Sequence, residues 1–441
     1  MAGKYRAYSE YRKTHLGWLN QIPNHWDVKR LKYLGDALIG LTYSPDDVVD
    51  EGAGTLVLRS SNVQNKQLAF EDNVYVNKVI PEKLLTQKGD ILICARNGSR
   101  ALIGKNAQIN QDAVGMSFGA FMSVFRSPYN NYLSKVFNSA LFEYQSGSFL
   151  TATINQLTTG NLNSFEIPLP PAIEQQQIIK FLDHQTAKID TLIDKQQQLI
   201  TLLKEKRQAV ISHAVTKGLN LDAPMRDSGV EWLGEVPAHW VVTRVKNVVT
   251  RIVDGPHFSP KYVDDGYMFI SARNIKVDGW SLDDAKYVSE ADFLEFNKRV
   301  TPEIGDVLLT KGGTTGIARA VDLEFPFQVW VHVAVLKTIQ SKMDPFYFTY
   351  VLNGTACYEQ SQQYTYGATN NDLGLGRIAK IFFAQPSLEE QQKMRLWLDE
   401  KCRAFDALIA KGNESIELMQ VRRTALISAA VTGKIDVRQP A

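Results

Sequence analysis

The chain repeats itself in a nearly constant register. Leu182-Asp183, Asp190 and Ser212 recur as Leu398-Asp399, Asp406 and Ser428, each displaced by 216 residues (398 − 182 = 216). Glu174-Gln175-Gln176 returns as Glu390-Gln391-Gln392, and Gly89-Asp90-Ile91-Leu92 as Gly305-Asp306-Val307-Leu308. Trp18-Leu19 and His25-Trp26 reappear as Trp232-Leu233 and His239-Trp240. A register held over most of a chain means two copies of one folding unit, hence a pseudo-two-fold molecule. Such a molecule suits a target that comes in two separated halves.

Composition sets bounds on this reading. A chain of 441 residues is too long for one core and suits two or three domains. The formal charge of +2 is close to neutral, so no global field advertises a polyanionic partner. Charge is uneven, however. Residues 1–33 carry seven Lys and Arg against Glu10 and Asp27, and residues 88–135 carry six against Asp90 and Asp112. Local basic faces of this kind can meet phosphates, although a solvated surface accounts for them equally well. Cys94, Cys357 and Cys402 have no short-range pairing, which argues against a zinc ribbon or a disulfide scaffold and fits a reducing cytoplasm. Residues 1–15 lack an apolar signal segment, and no stretch approaches the length of apolar chain that spans a membrane.

Two kinds of segment alternate. Residues 17–169 and 231–385 hold short β-rich runs broken by Gly, Asn and Pro, such as Thr55 to Leu58, Asp90 to Cys94 and Val331 to Leu336. Helical stretches intervene at Asn131 to Tyr144 and Pro345 to Tyr358. Each segment reads as a mixed α+β domain with polar loops. Glu174 to Thr216 and Glu390 to Thr432 read as long helices. Leu182, Ile189, Leu203 and Val210 fall on one heptad row, with Gln196 between them, and Leu192 and Leu199 fall on the alternate row in 3-4 spacing. In the second copy Leu398, Phe405, Leu408, Met419 and Leu426 take matching places. Pro170-Pro171 and Pro386 precede the helices, and Gly218 and Gly433 follow them, as start and stop signals do. The expected order is a first domain over 1–169, a helix over 170–217, a linker over 218–230, a second domain over 231–385, a helix over 386–432 and a tail over 433–441. Two seams in one chain pair most economically with each other. Antiparallel pairing would put a globular domain at each end of a rod, whose length would then set the distance between two half-targets.

Constellations that look catalytic do not hold together. Gly98 and Gly104-Lys105 resemble a phosphate loop, but the spacing is one residue too long and Asn106 stands where Ser or Thr would hold magnesium. Asp344-Pro345-Phe346-Tyr347 lacks the second proline of an amino-methyltransferase motif and reads as a strand-to-helix turn. Asp399-Glu400-Lys401 matches the tail of a nuclease pattern but lies inside a long helix with no partner acid placed upstream. The seven histidines are scattered, and His25 and His239 sit beside tryptophans as packing residues rather than metal ligands.

Polar loops at equivalent places remain. Arg59-Ser60-Ser61-Asn62 corresponds to Ser271-Ala272-Arg273-Asn274. Arg96-Asn97-Gly98-Ser99-Arg100, followed by Lys105, corresponds to Lys311-Gly312-Gly313-Thr314-Thr315, followed by Arg319. Thr153 and Asn155 correspond to Thr369, Asn370 and Asn371. Arg grips guanine, and Asn adenine, in two-pronged contacts, while Ser, Thr and Lys commonly hold phosphates. The plain alternative is ordinary turns that use Asn and Gly at special dihedrals. Asn62 and Asn274, identical in both copies, suit either role. A shared frame around different loops would read two different half-sequences.

These residues carry a resemblance to the specificity subunits of type I restriction–modification systems over nearly the whole chain. Its motifs are the doubled runs Trp18 to Trp26 and Trp232 to Trp240 and the doubled Pro-x-x-x-Glu-Gln-Gln helix opening. The third is the pair of runs at 209–218 and 425–434. The resemblance implies two target recognition domains joined by conserved helices, a bipartite asymmetric site in double-stranded DNA, and no active site in this chain. It implies two modification subunits, which carry S-adenosylmethionine and methylate adenine, and restriction subunits, which use ATP and magnesium. The second copy departs from the first at the start of its helix, where Gln385-Pro386-Ser387 replaces Pro170-Pro171-Ala172. A reading from another class is a DNA methyltransferase or nuclease with divergent motifs, which methyl transfer by the chain alone would reveal. A third is a structural coiled-coil hinge, which matched globular heads argue against.

Overall fold

The computed structural model describes residues 5–149, 155–367 and 371–438. It divides into two units, 1–196 with 414–441 and 197–413, so the division falls within the two long helices. Each unit therefore holds one globular domain, the start of one long helix and the end of the other.

Unit 1 contains β1 (Asp36–Ile39), β2 (Val48–Val49), β3 (Thr55–Leu58), β4 (Tyr75–Val76), β5 (Ile91–Cys94), β6 (Asn106–Gln108), β7 (Ser117–Phe118) and β8 (Met122–Arg126). They form two four-stranded sheets in the orders β6-β5-β8-β1 and β7-β3-β4-β2. Unit 2 contains β9 (Val249–Asp254), β10 (Tyr262–Val263), β11 (Tyr267–Ile270), β12 (Lys286–Val288), β13 (Val307–Thr310), β14 (Ala318–Ala320), β15 (Phe327–Val329) and β16 (Val333–Thr338). Its sheets run β14-β13-β16-β9 and β15-β11-β12-β10, the same two orders with every strand advanced by eight. Even the parallel pair recurs, β7 with β3 and β15 with β11.

The two middle strands of the first sheet in each unit are buried on both faces, which is why β5 and β13 read as almost wholly apolar runs. In unit 1, Ile91, Ile93 and Phe125 face one core and Leu92, Cys94 and Val124 the other. In unit 2, Val307, Leu309, Ala334 and Leu336 face one core and Leu308, Val333 and Val335 the other. Each Val, Leu, Ile or Phe among them contributes about 1.5–3 kcal/mol by leaving water. The repeated Gly-Asp pair that opens the central strand now has a reason. Gly89 and Gly305 turn with φ of 90° and 92°. Asp90 and Asp306 then accept from the backbone N–H three residues earlier and pair with a cation at the end of the neighbouring strand, Arg126 at 2.7 Å and Lys337 at 2.8 Å.

The helical stretches after β8 and β16 differ from the expectation of one helix each. Each is two helices, α1 (Asn130–Phe137) and α2 (Ala140–Ser148) in unit 1, and α4 (Pro345–Asn353) and α5 (Thr355–Gln363) in unit 2; the long helix α3 (Ala172–Lys217) lies between the two pairs in sequence, and α6 (Leu388–Val431) follows them. The break serves the long helices. Ser428 of α6 accepts the first N–H of α2 at 2.9 Å, and Ser212 of α3 accepts the first N–H of α5 at 3.0 Å. The repeated Ser is thus a cap lent by one helix to another.

The repeated helix opening is likewise mechanical. Glu174 and Glu390 stand in the first turn, where a carboxylate is favoured by the helix dipole. They meet His25 at 2.7 Å and His239 at 3.1 Å. Gln175 and Gln391 fold back onto the carbonyls of Pro170 and Pro386. These bonds set Pro170 against Pro386 (386 − 170 = 216), which corrects the triplet alignment by one residue: Ser387-Leu388 replaces Pro171-Ala172, and both long helices begin with the same bond.

Within each unit the helix segments run antiparallel. In unit 1, Tyr132 Oη lies within hydrogen-bond distance of Pro168 O, just before α3, and of Val431 O, the end of α6. Asp190 pairs with Arg423 there, as Asp406 pairs with Arg207 in unit 2. Of the expected seam, Leu182, Ile189, Leu398 and Leu426 are buried, and Leu203, Val210, Phe405 and Met419 are half-buried. Leu192, Leu199 and Leu408 are exposed, so their assignment to the seam is corrected. The second row lies one residue later, at Thr186, Ile193, Ile200 and Arg207, with Cys402, Ile409, Ile416 and Arg423 as its repeat. The step from Leu182 is four residues rather than three. Leu192-Ile193 and Leu199-Ile200 are adjacent apolar pairs, so a 3.5-residue repeat alone does not say which member turns inward. Among the described residues no helix is long and apolar enough to cross a membrane, and the three cysteines are buried and free.

Candidate nucleic-acid interface

Strand directions gather the polar loops at one end of each domain. Cys94 is level with Met122, and Leu58 with Phe118. The segments after β3, after β5 and between β7 and β8 therefore leave unit 1 at the same edge. Asn97 Nδ2 donates to Ser60 Oγ at 3.3 Å, and Lys105 Nζ reaches Ser60 O at 3.4 Å and Gln64 Oε1 at 3.3 Å. Asn155 Nδ2 donates to Gly98 O at 3.1 Å, and Arg96 forms a β-bridge with Gln156. Arg96, Ser99 and Arg100 are exposed on this cluster. Arg100 also reaches Gly147 O at 3.4 Å, and the Ser61 hydroxyl is buried without a partner among the described residues.

In unit 2 the same edge carries Lys311 to Thr315. Gly312 forms a β-bridge with Asp372, and Gly313 N donates to Asn371 O. Thr314 and Asn371 are exposed, while Thr315 is buried and hydrogen-bonded to Thr365 at 3.0 Å. Lys311 is buried, with its Nζ 3.0 Å from Asp372 and 3.5 Å from Asp254. Asp254 is buried beside His257 and Arg299 as well. Its burial pushes the carboxyl pKa up, but Arg299, His257 and Lys311 together hold it below the usual carboxylate range. Thr153, Thr369 and Asn370 lie outside the described residues.

Three sequence expectations are corrected here. Asn62 and Asn274 are buried and face inward. Asn62 Oδ1 accepts from Arg59 N, and its amide donates to Ala69 O and Asp72 O; Asn274 Oδ1 accepts from Ser271 N, and its amide donates to Ser281 O and Asp284 Oδ1. An amide so saturated has no edge left for adenine, so both are turn anchors. Arg319 leaves the loop cluster altogether. It stacks on Trp280 and lines a cavity of about 440 Å³ with Arg207, Tyr350 and Asp399 of the helical side. Arg59 and Arg273 stay at the loops but are each paired with an acid, Asp72 at 2.8 Å and Asp284 at 3.5 Å. They sit at different sequence positions yet brace the same point of the frame.

The sequence reading missed the turn between β7 and β8 and its counterpart between β15 and β16. The repeat offset slips there from 216 to 211, since Cys94 and Met122 pair as Thr310 and Val333 do (333 − 122 = 211). Phe121 and His332 thereby become equivalent residues that no constant register aligns. The Asp254 cluster was missed because Arg299, Lys311 and Asp372 are far from Asp254 and His257 in sequence. Asp344, by contrast, caps α4 through Tyr347 N at 2.9 Å, as a strand-to-helix turn requires. Among the described residues no group of three or more His, Cys, Asp or Glu is arranged to hold a metal.

This duplicated frame matches known proteins. The family model described as the type I restriction modification DNA specificity domain matches residues 23–202 and again 237–418. The StySPI specificity subunit of Salmonella potsdam is 22% identical over 438 residues, covering 95% of this chain and 91% of that subunit. The MjaVIII specificity subunit of Methanocaldococcus jannaschii is 22% identical over 428 residues, covering 95% of each. The EcoKI specificity subunit of Escherichia coli K12 is 24% identical over 300 residues, covering 66% of this chain and 62% of that subunit's length. A chain solved in work on assembly and conformational transition of the type I restriction–modification system superposes with a TM-score of 0.66. The superposition covers 94% of this chain and 99% of that one at 16% identity, a likeness of fold. With both matches taken together spanning most of its length, the chain belongs to the family of type I restriction–modification DNA specificity domains and carries that domain twice.

Proposed function

We propose that this chain is the sequence-recognition subunit of a type I restriction–modification complex, and that each globular domain reads one half of a bipartite asymmetric site in double-stranded DNA. One observation carries the reading. The two units share sheet order, turn anchors and helix caps, yet their edge loops hold different side chains. A frame repeated without its loops is what two different half-sites require. In this reading the chain supplies no catalysis. S-adenosylmethionine belongs to two modification subunits, and ATP with magnesium to restriction subunits. The long helices separate the half-sites and dock the modification subunits. Support for docking comes from leucines left uncovered at equivalent helix positions, Leu192 and Leu408, and Leu202 and Leu418. The three buried free thiols suit a reducing cytoplasm.

The test is an exchange. Residues 231–385 are replaced by the equivalent domain of a relative, and methylated adenines are mapped in cells expressing the hybrid with its modification subunit. One half of the methylated motif should change while the other persists. Simultaneous change of both halves would refute modular reading.

A further inference from the structure

The turn that the repeat register hides is built alike in both units. Phe121 O accepts the N–H of Arg96 at 2.9 Å, and His332 O accepts that of Lys311 at 2.8 Å, so each turn is tied to the head of the loop after the central strand. A glycine lies beneath each turn. A Cβ at Gly40 would collide with the carbonyls of Phe118 and Gly119, and one at Gly255 with those of Val329 and Trp330. The chain is drawn so close that the turn cannot sink away. What stands on it is aromatic in both copies. Phe121 is 60% exposed, with the Arg96 guanidinium 5.3 Å from its ring centroid. His332 stacks on Trp330 at 4.7 Å and 30°. Gly312 stands where Arg96 stands in unit 1, and a Cβ there would come within 2.7 Å of the His332 ring.

An exposed phenylalanine forgoes the burial that would stabilise the fold, and here its backbone carbonyl is tied to the N–H groups of Ala95 and Arg96 amid hydrogen-bonding loops. A turn whose backbone is already fixed loses less freedom on meeting a ligand. A flanking guanidinium favours an anionic polymer beside it, and stacks on the ring without covering it. The apolar feature a phenyl ring meets in the major groove is the thymine methyl group. We propose that the ring on this turn touches a base in each half-site: Phe121 packs on a thymine methyl in the half read by unit 1, and His332, backed by Trp330, contacts a base in the half read by unit 2. This rests on the half-site reading above. Every half-site with an adenine to methylate contains a thymine opposite it, so the contact has a candidate in any such site.

The chain is assembled with its modification subunits, and binding is measured on duplexes carrying the mapped site with each thymine of the unit 1 half replaced in turn by uracil, which removes the methyl group alone. For the wild-type chain, one replacement should weaken binding about fourfold, the worth of one buried methyl group. Phe121→Ala should weaken binding to the thymine duplex by at least as much, and should make that same replacement silent. His332→Ala should relax the methylated motif only in the other half. Phe121→Leu, which keeps an apolar side chain, should keep part of the uracil sensitivity, and it replaces Phe121→Ala if the alanine variant fails to fold. Wild-type binding indifferent to every uracil overturns the thymine contact. So does a uracil effect that persists in full in Phe121→Ala. If the wild-type complex shows no bipartite motif at all, the half-site reading itself has failed, and that outcome is visible before any variant is made.

Discussion

In the first domain Arg96 lies over the exposed ring of Phe121, and among the described residues no carboxylate pairs with it. In the second, Lys311 is buried between Asp254 and Asp372. The two cations follow equivalent strands one residue apart, and they use their charge differently. Arg96 keeps its charge at the surface, where a phosphate or a base can meet it. Lys311 is consumed inside the protein, where it neutralises two acids and pins the loop that ends at Asp372. A positive residue at the head of a recognition loop is therefore not by itself a DNA contact. Its neighbours decide whether it is a reader or a brace. Arg59 and Arg273 stand between these two cases, since each has an acid partner, Asp72 or Asp284, in an ion pair that stays open to solvent.

The strongest way to break this comparison is to remove the buried acid that Lys311 shares with Arg299 and His257. Lys311 keeps Asp372 at 3.0 Å, so what is lost is the charged hydrogen bonding of Asp254, worth about 1.5–3 kcal/mol. Asp254→Asn should destabilise unit 2 by an amount in that range and leave unit 1 untouched. Hydrogen exchange resolved by segment would check both, and loss of protection shared equally by the two units would contradict it. The acid side follows from the same group. Because the native carboxyl of Asp254 is held low, its contribution is complete above the unfolded carboxylate pKa and is lost as pH falls through the lowered native value. Asp254→Asn should flatten that part of unit 2's pH profile. Arg96→Gln should cost the fold of unit 1 almost nothing, as an exposed substitution does.

A second contrast sits where the long helices begin. Glu174 is 5% exposed at its side chain and accepts from His25 and Tyr8. Glu390 is 30% exposed and accepts from His239 and from Trp240 Nε1 at 3.1 Å. Hydrogen bonds to a charged group contribute about 1.5–3 kcal/mol, more where water is excluded. Glu174→Gln should cost about 2 kcal/mol and Glu390→Gln about 1 kcal/mol in denaturant unfolding. A reversed order would mean that burial does not set the strength of this latch.

Repetition made much of this legible in the sequence. Leu182 and Leu398, the helix limits and the Gly-Asp strand openings follow from pattern alone, because burial on one face or two leaves a period in the residues. The inward Asn62 and Asn274 were ambiguous, since a turn anchor and an adenine reader use the same amide. Seam rows containing adjacent Leu and Ile could not be phased, as Leu192 and Leu199 show. Phe121, His332 and Asp254 were silent for a different reason. Their meaning lies in who stands beside them, and Asp254 meets Arg299 and Lys311, 45 and 57 residues away (299 − 254 = 45, 311 − 254 = 57), only once the chain is folded.

The smallest effect is expected where the two units are joined differently. In unit 2 the chain runs on from α3 through Gly218, which packs on Trp240, into the strand Met225–Asp227, which pairs with Glu235–Pro237. In unit 1 the same place is made from two separate segments. Gly433 after α6 packs on Trp26 and Pro23, and the strand Tyr11–Leu16 pairs with Leu19–Pro23. The segments are stitched together by Asp436 N to Arg6 O at 2.7 Å, by Tyr11 Oη to Gly433 O at 2.9 Å, and by Arg438 over the Tyr8 ring at 4.8 Å. Non-covalent contacts here do the work of a covalent linker in the other unit. A permuted chain, joined from 438 to 5 by a short flexible peptide and opened between Leu221 and Asp222, should therefore fold to the same structure. Leu221 is 85% exposed and its neighbours 219–222 are all exposed, so new ends there remove no buried backbone bond. The permuted chain should lose no more than about 1 kcal/mol, the few-tenths-per-doubling entropy of a longer or shorter loop plus a fraying end. It should also methylate the original motif when assembled. Loss of the half-site read by unit 2 alone would show that the linker at 218–230 carries more than connectivity. Loss of the half read by unit 1 would show that its stitched segments need free ends.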